Sequence, residues 1–171
     1  MTEEQPIDSR PDWLKKVQAE GTQPGILEVD GKQYLYTIVR AGLAPGLPYA
    51  VGFPADTALM ISEDVPEADR PFILAHEVRE KKNEGILGLP EEQRCQAALE
   101  VEIAEVQARV PERADAYIGG RRAFFDSLVT FYQQPQQAEA VSLQFRQGIQ
   151  ASRDYLHRIA PPQAPKPIQG K

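Results

Sequence analysis

The sequence predicts an α+β domain, a small mainly antiparallel sheet followed by a helical bundle, and three observations carry that prediction. Apolar and polar residues alternate around Asp30-Gly31 in GILEVDGKQYLYTIV, which is the period of half-buried strands. From Glu91 onward, apolar residues recur at helical spacing in successive stretches. Between the two regions an apolar run, TALMI, leads through a turn into PFILAHEVREK, a helical pattern carrying a histidine and two glutamates. Strands first and helices afterwards is the order of a fold with its helices gathered on one side of the sheet.

The elements follow in chain order. Residues 1–10 are polar and aperiodic, and residues 161–171, PPQAPKPIQGK, are rich in proline. Neither buries enough apolar surface to offset its ordering entropy, so both are expected to be disordered tails around one domain over 11–160. A two-turn helix is expected in PDWLKKVQAEG, opened by Pro11 and an N-cap-like Asp12, closed by Gly21, and burying Trp13, Leu14 and Val17. The 25–39 segment reads as a hairpin, because Asp-Gly tolerates the positive φ of a tight turn. Prolines and glycines through 40–54 predict a long loop with a short strand near 49–51, able to form one wall of a cleft. A strand at 57–61 could hold an extended peptide along a sheet edge. The turn at 62–71 then enters a helix over 71–81.

Glycines and a proline in KKNEGILGLP break regularity before the second helix, 91–110, whose stripe is Cys95, Leu99, Ile103, Val106 and Val110. Pro111 ends or kinks it. A third helix, 114–133, presents Phe124, Leu128 and Phe131 and stops at Pro135. A fourth, 136–159, is expected to bury Val141, Phe145, Ile149 and Leu156.

Composition narrows the function classes. The chain has 171 residues, and 19 Lys plus Arg against 25 Asp plus Glu give a formal charge of -6. With no long run of either sign, a nucleic-acid backbone is a poor partner, and none is expected. A single cysteine, Cys95, excludes an internal disulfide. No basic-then-apolar leader follows Met1 and no long apolar run occurs, so a cytoplasmic protein without membrane contact is expected. Oligomeric state has no signature here.

The chemistry concentrates on 71–81. Residues four apart on a helix lie about 40° apart around its axis, so His76 and Glu80 can face one metal ion, while Glu77, about 100° from His76, can hold a water near it. A catalytic divalent ion needs three protein ligands and one open position. The expected third ligand is Glu102, three residues after Leu99 and four before Val106, hence on the core-facing stripe. A carboxylate there is costly unless paired or bound to a cation. Glu105, one turn further on, is its nearest substitute. The competing reading makes His76 a buried histidine bonded to backbone and pairs Glu77 with Lys81. In that reading Glu102 is neutralised by Arg94, Arg109, Arg121 or Arg122, Cys95 is a core thiol, and His157 is a surface residue near a helix end.

Residues 61–80, ISEDVPEADRPFILAHEVRE, resemble the strand, arginine-containing turn and active-site helix of minimal zincins of the ImmA/IrrE-like family, with Phe72 to Glu77 matching the run that ends in AHE. The resemblance implies a zincin-like fold, with His76 as a metal ligand, Glu77 as general base, and a downstream glutamate, Glu102, as third ligand. Two positions depart from it: Arg79 stands where the family has glycine, and Glu80 where it has the second histidine. The function expected on this basis is a metal-dependent hydrolase, a peptidase acting on a peptide or protein, with an HExxE helix. Zinc is the first candidate ion. One imidazole and two carboxylates place two negative charges around it, which weakens its action on water and admits manganese or iron. The alternative is a catalytically inactive zincin-like domain that serves as a protein-binding or regulatory module. A helical carboxylate metal protein is disfavoured by the hairpin, since such sites are built in bundles.

Overall fold

The structure is a computed structural model that describes residues 23–39, 51–52, 59–85 and 87–159. The helix expected at 12–20, both expected tails and most of the 40–54 loop lie outside the described residues. The fold is α+β: a four-stranded mixed sheet followed by helices. Contacts group the chain into two compact units, one holding the sheet and the chain as far as Glu77, the other the helices from Val78 onward.

In the first unit, β1 (Gln23–Val29) and β2 (Lys32–Val39) form the expected hairpin. Val29 pairs with Lys32, which leaves a two-residue turn at Asp30 and Gly31, with φ of 50° and 76°. Positive φ at both positions is the turn whose twist matches the strands it joins. Pairing also brings Tyr36 opposite Gly25, where a Cβ would run into the Tyr36 ring, so a larger residue there requires the ring to move. The other strands are β3 (Val51–Gly52) and β4 (Leu59–Ser62), and the order is β1-β2-β4-β3.

Two of the three pairings are antiparallel, but β2 and β4 run parallel. The strand expected at 57–61 therefore lies inside the sheet, not at its edge. All four β4 residues are buried, and the β3 ladder at Met60 and Ile61 occupies the side away from β2. A peptide cannot add along that ladder. Where the chain leaves β4, Arg70 Nε donates to the Val65 carbonyl at 2.9 Å and Nη2 to the Glu63 carbonyl at 3.1 Å. Those bonds satisfy turn carbonyls and fix the start of α1 (Arg70–Gly85). The helix runs four residues beyond 81, because Lys82, Asn83 and Glu84 continue it before Gly85.

The second unit contains the helices from Val78. Helix α2 (Glu91–Arg109) follows Pro90, and a 3-10 turn, Pro111–Arg113, leads into α3 (Ala114–Gln133). The expected fourth helix is divided into α4 (Pro135–Glu139) and α5 (Leu143–Ile159). Ser142 makes the division: its Oγ accepts the Phe145 backbone N–H at 2.9 Å and donates to Glu91 at 2.7 Å, an N-cap at the start of α5.

Helix α5 packs on α2 and α3. Its Gly148 approaches α2 closely, since a Cβ there would lie 3.2 Å from the Glu92 carbonyl. Leu99, Ile103, Val106, Phe125 and Leu156 are among the buried residues of this unit. Val141 and Phe145, expected to be buried, are only partly so, because the α4–α5 break falls beside them. Among the described residues, no helix is long and apolar enough to cross a membrane.

Candidate metal centre

Helix α1 carries the motif. Phe72, Ile73, Leu74 and Ala75 are buried, and His76, continuing that run, is 1% exposed. Glu77 and Glu80 are partly exposed. One turn separates His76 from Glu80, and their ligand atoms lie within 4.8 Å of one another. That relation is internal to one continuous helix.

Within the helical unit, Glu80 also has Cys95 of α2 inside the same distance. The connection between α1 and α2 is held by its own polar bonds. Asn83 Nδ2 donates to the Arg94 carbonyl at 3.1 Å, Arg94 Nε donates to the Leu89 carbonyl at 2.8 Å, and the Leu89 N–H donates to the Asn83 carbonyl at 2.9 Å. Arg94 also approaches Glu84 at 3.5 Å. These bonds bracket Cys95 from the side of Arg94.

Glu102, the expected third ligand, is instead the anion of a buried ion pair. Its carboxylate is fully excluded from solvent. Tyr117 Oη donates to Oε1 at 2.6 Å, Arg121 Nη2 donates to Oε2 at 3.1 Å, and Arg121 Nε lies 2.7 Å from Oε1. The Arg121 guanidinium also stands 5.2 Å and 5.3 Å from the Phe125 and Phe124 ring centres. The cation demanded by a carboxylate on the core stripe is thus an arginine. Glu105, the substitute, is taken as well: Arg79 donates to both of its oxygens, at 2.9 and 3.0 Å. Such a two-pronged arginine-carboxylate pair is the strongest form of this contact.

The sequence carried a signal for the Glu102 partner. Tyr117, Arg121, Phe124 and Leu128 recur at helical spacing on α3, so Arg121 shares the buried stripe. Cys95 was legible as a stripe residue. Its neighbourhood with Glu80 was not, because the turn between α1 and α2 has no sequence signature of its register. His157 is not isolated at a helix end: its Nε2 lies 2.9 Å from Asp126 Oδ1, which also accepts from Arg153 Nε at 2.6 Å.

The donors near Glu80 suit a divalent cation. Ligands about 2.0 to 2.3 Å from a tetrahedral ion are about 3.3 to 3.8 Å from one another, so donor atoms inside 4.8 Å need to close by no more than about 1 to 1.5 Å. Carboxylate and thiolate are both established zinc donors. Comparison with protein-family models, with curated proteins and with solved structures finds no match for this chain.

Proposed function

We propose that the protein is a metal-dependent hydrolase, a peptidase of zincin-like design, whose ion is held on helix α1 by His76 and Glu80. The observation that carries the reading is the proximity of these two ligand side chains, a helical turn apart at the end of a buried apolar run. A divalent ion there would acidify a coordinated water and polarise a scissile carbonyl. Glu77, next in the chain and partly exposed, is the group in position to take the proton from the attacking water and return it to the leaving amine. His76 and Glu80 act as positioning ligands, and the apolar residues Phe72 to Ala75 fix the helix that aims them. A peptide substrate that adds a strand would use β1 or β3, the outer strands among the described ones. The direct test pairs elemental analysis of the purified chain with proteolysis of an unfolded protein substrate. Stoichiometric divalent metal, with cleavage abolished in Glu77→Gln, supports the reading, and metal-free protein from a mild preparation contradicts it.

A second reading is favoured by one observation. Arg79 occupies the position where the resembled family has glycine, and it grips Glu105 with both prongs. A helix built that way suits a zincin-like domain that has given up catalysis and serves as a protein-binding or regulatory module. In that case Glu77→Gln leaves the protein's biological activity intact, whereas a folded but inactive Glu77→Gln variant rules the module out.

A further inference from the structure

The geometry points to Cys95 as a protein donor that joins Glu80 on a divalent ion, an assignment that rests on the metal reading above. Three observations converge on it. The Cys95 sulfur lies within 4.8 Å of the ligand atoms offered by Glu80, inside the helical unit. Bonds from Asn83 and Arg94 on either side hold the turn that brings α2 alongside the end of α1. The two carboxylates expected from the sequence as third donors are held by arginines, Glu102 by Arg121 and Glu105 by Arg79.

Cys95 is 4% exposed, and burial in apolar surroundings favours the protonated thiol. Binding a divalent ion reverses this: the S–H proton leaves to solvent as the sulfur-metal bond forms, since the thiolate is the ligating form. One thiolate and one carboxylate then neutralise the ion's two charges, which lowers the cost of holding it away from water. The donor set also changes the choice of ion. A set of one imidazole and two carboxylates leans toward manganese or iron, but a thiolate is soft and selects zinc or cobalt over manganese and magnesium. Glu102 is seven residues from Cys95 on the same stripe, about 10 Å along the helix axis, so the two assignments are structurally exclusive and experimentally separable.

Cobalt(II) titration of the full chain tests this by absorption, without reference to activity. The expected result is stoichiometric binding with an intense thiolate-to-cobalt charge-transfer band in the near ultraviolet. That band disappears in Cys95→Ser, persists in Glu102→Gln, and is displaced from the wild-type chain by zinc but not by manganese. The wild-type spectrum alone decides if a variant fails to fold. Cobalt bound through His76 and Glu80 without the band overturns the role of Cys95 and leaves the metal reading standing. No cobalt binding at all overturns both.

Discussion

Arg121 Nε stands 2.7 Å from Glu102 Oε1 in the interior of the helical unit, with side chains 3% and 0% exposed. Tyr117 adds a hydrogen bond to the same carboxylate. Removing one member of such a pair leaves an uncompensated buried charge, so Arg121→Met or Glu102→Leu alone is expected to destabilise the protein by about 3 to 5 kcal/mol. Replacing both with apolar residues is expected to recover most of that loss. Urea denaturation of the two single variants and the double variant measures it, and additive losses in the double variant would show that the two residues do not act as a pair.

Arg79 and Glu105 form the second arginine-carboxylate pair, with side chains 11% and 32% exposed. The partial exposure lowers its worth, and Arg79→Gly is expected to cost about 1 to 2 kcal/mol, including about 1 kcal/mol from glycine in a helix. Arg79→Ala separates the two contributions. If Arg79→Ala shows no loss in a denaturation midpoint, the bidentate contact has no energetic role in solution.

Asp126 links α3 to α5 through Arg153 and His157. Burial opposes its ionisation, but the hydrogen bonds and charges of Arg153 and His157 outweigh it and hold the carboxyl below its usual value of 3.8. A depressed folded-state pKa gives stability that is present above the unfolded value and is lost as pH falls through the folded one. Asp126→Asn is therefore expected to be less stable than wild type at neutral pH, with the difference closing below pH 3.8. The Asp126 side chain is 40% exposed, so the neutral-pH difference is about 1 kcal/mol or less. Thermal midpoints of both proteins across the acid range check the sign.

The turn at Asp30 and Gly31 makes the hairpin sensitive at one residue. Gly31 has φ of 76° with nothing within 4 Å of where a Cβ would stand, so substitution there is limited by backbone strain rather than by space. Gly31→Val is expected to cost about 1 to 2 kcal/mol, measured by denaturation. A neutral result would mean that the turn adopts another geometry.

Much of this architecture is legible from residue order, for local reasons. Asp30-Gly31 announces its own turn, Pro111 and Pro135 bound α3 at both ends, and the α2 stripe follows from Cys95, Leu99, Ile103 and Val106. What escapes the sequence is non-local or competes with a stronger pattern. The parallel pairing of β2 with β4 joins strands that are far apart in the sequence, which no local signal records. Helical spacing through 136–159 hides the break at Ser142, although a serine three residues before Phe145 is an N-cap signal. At the candidate site, the need of Glu102 for a cation follows from its place on the stripe. That the cation is Arg121 follows only once α3 is seen to bury the same stripe that carries Tyr117.

A divalent ion held on helix α1 by His76 and Glu80, as proposed, would register in the metal content of the protein. Elemental analysis of the mildly purified wild-type chain is predicted to find a stoichiometric divalent ion that is lost in His76→Ala and in Glu80→Ala while circular dichroism stays unchanged. Wild-type protein without metal, or metal retained in full by both variants, would contradict the account.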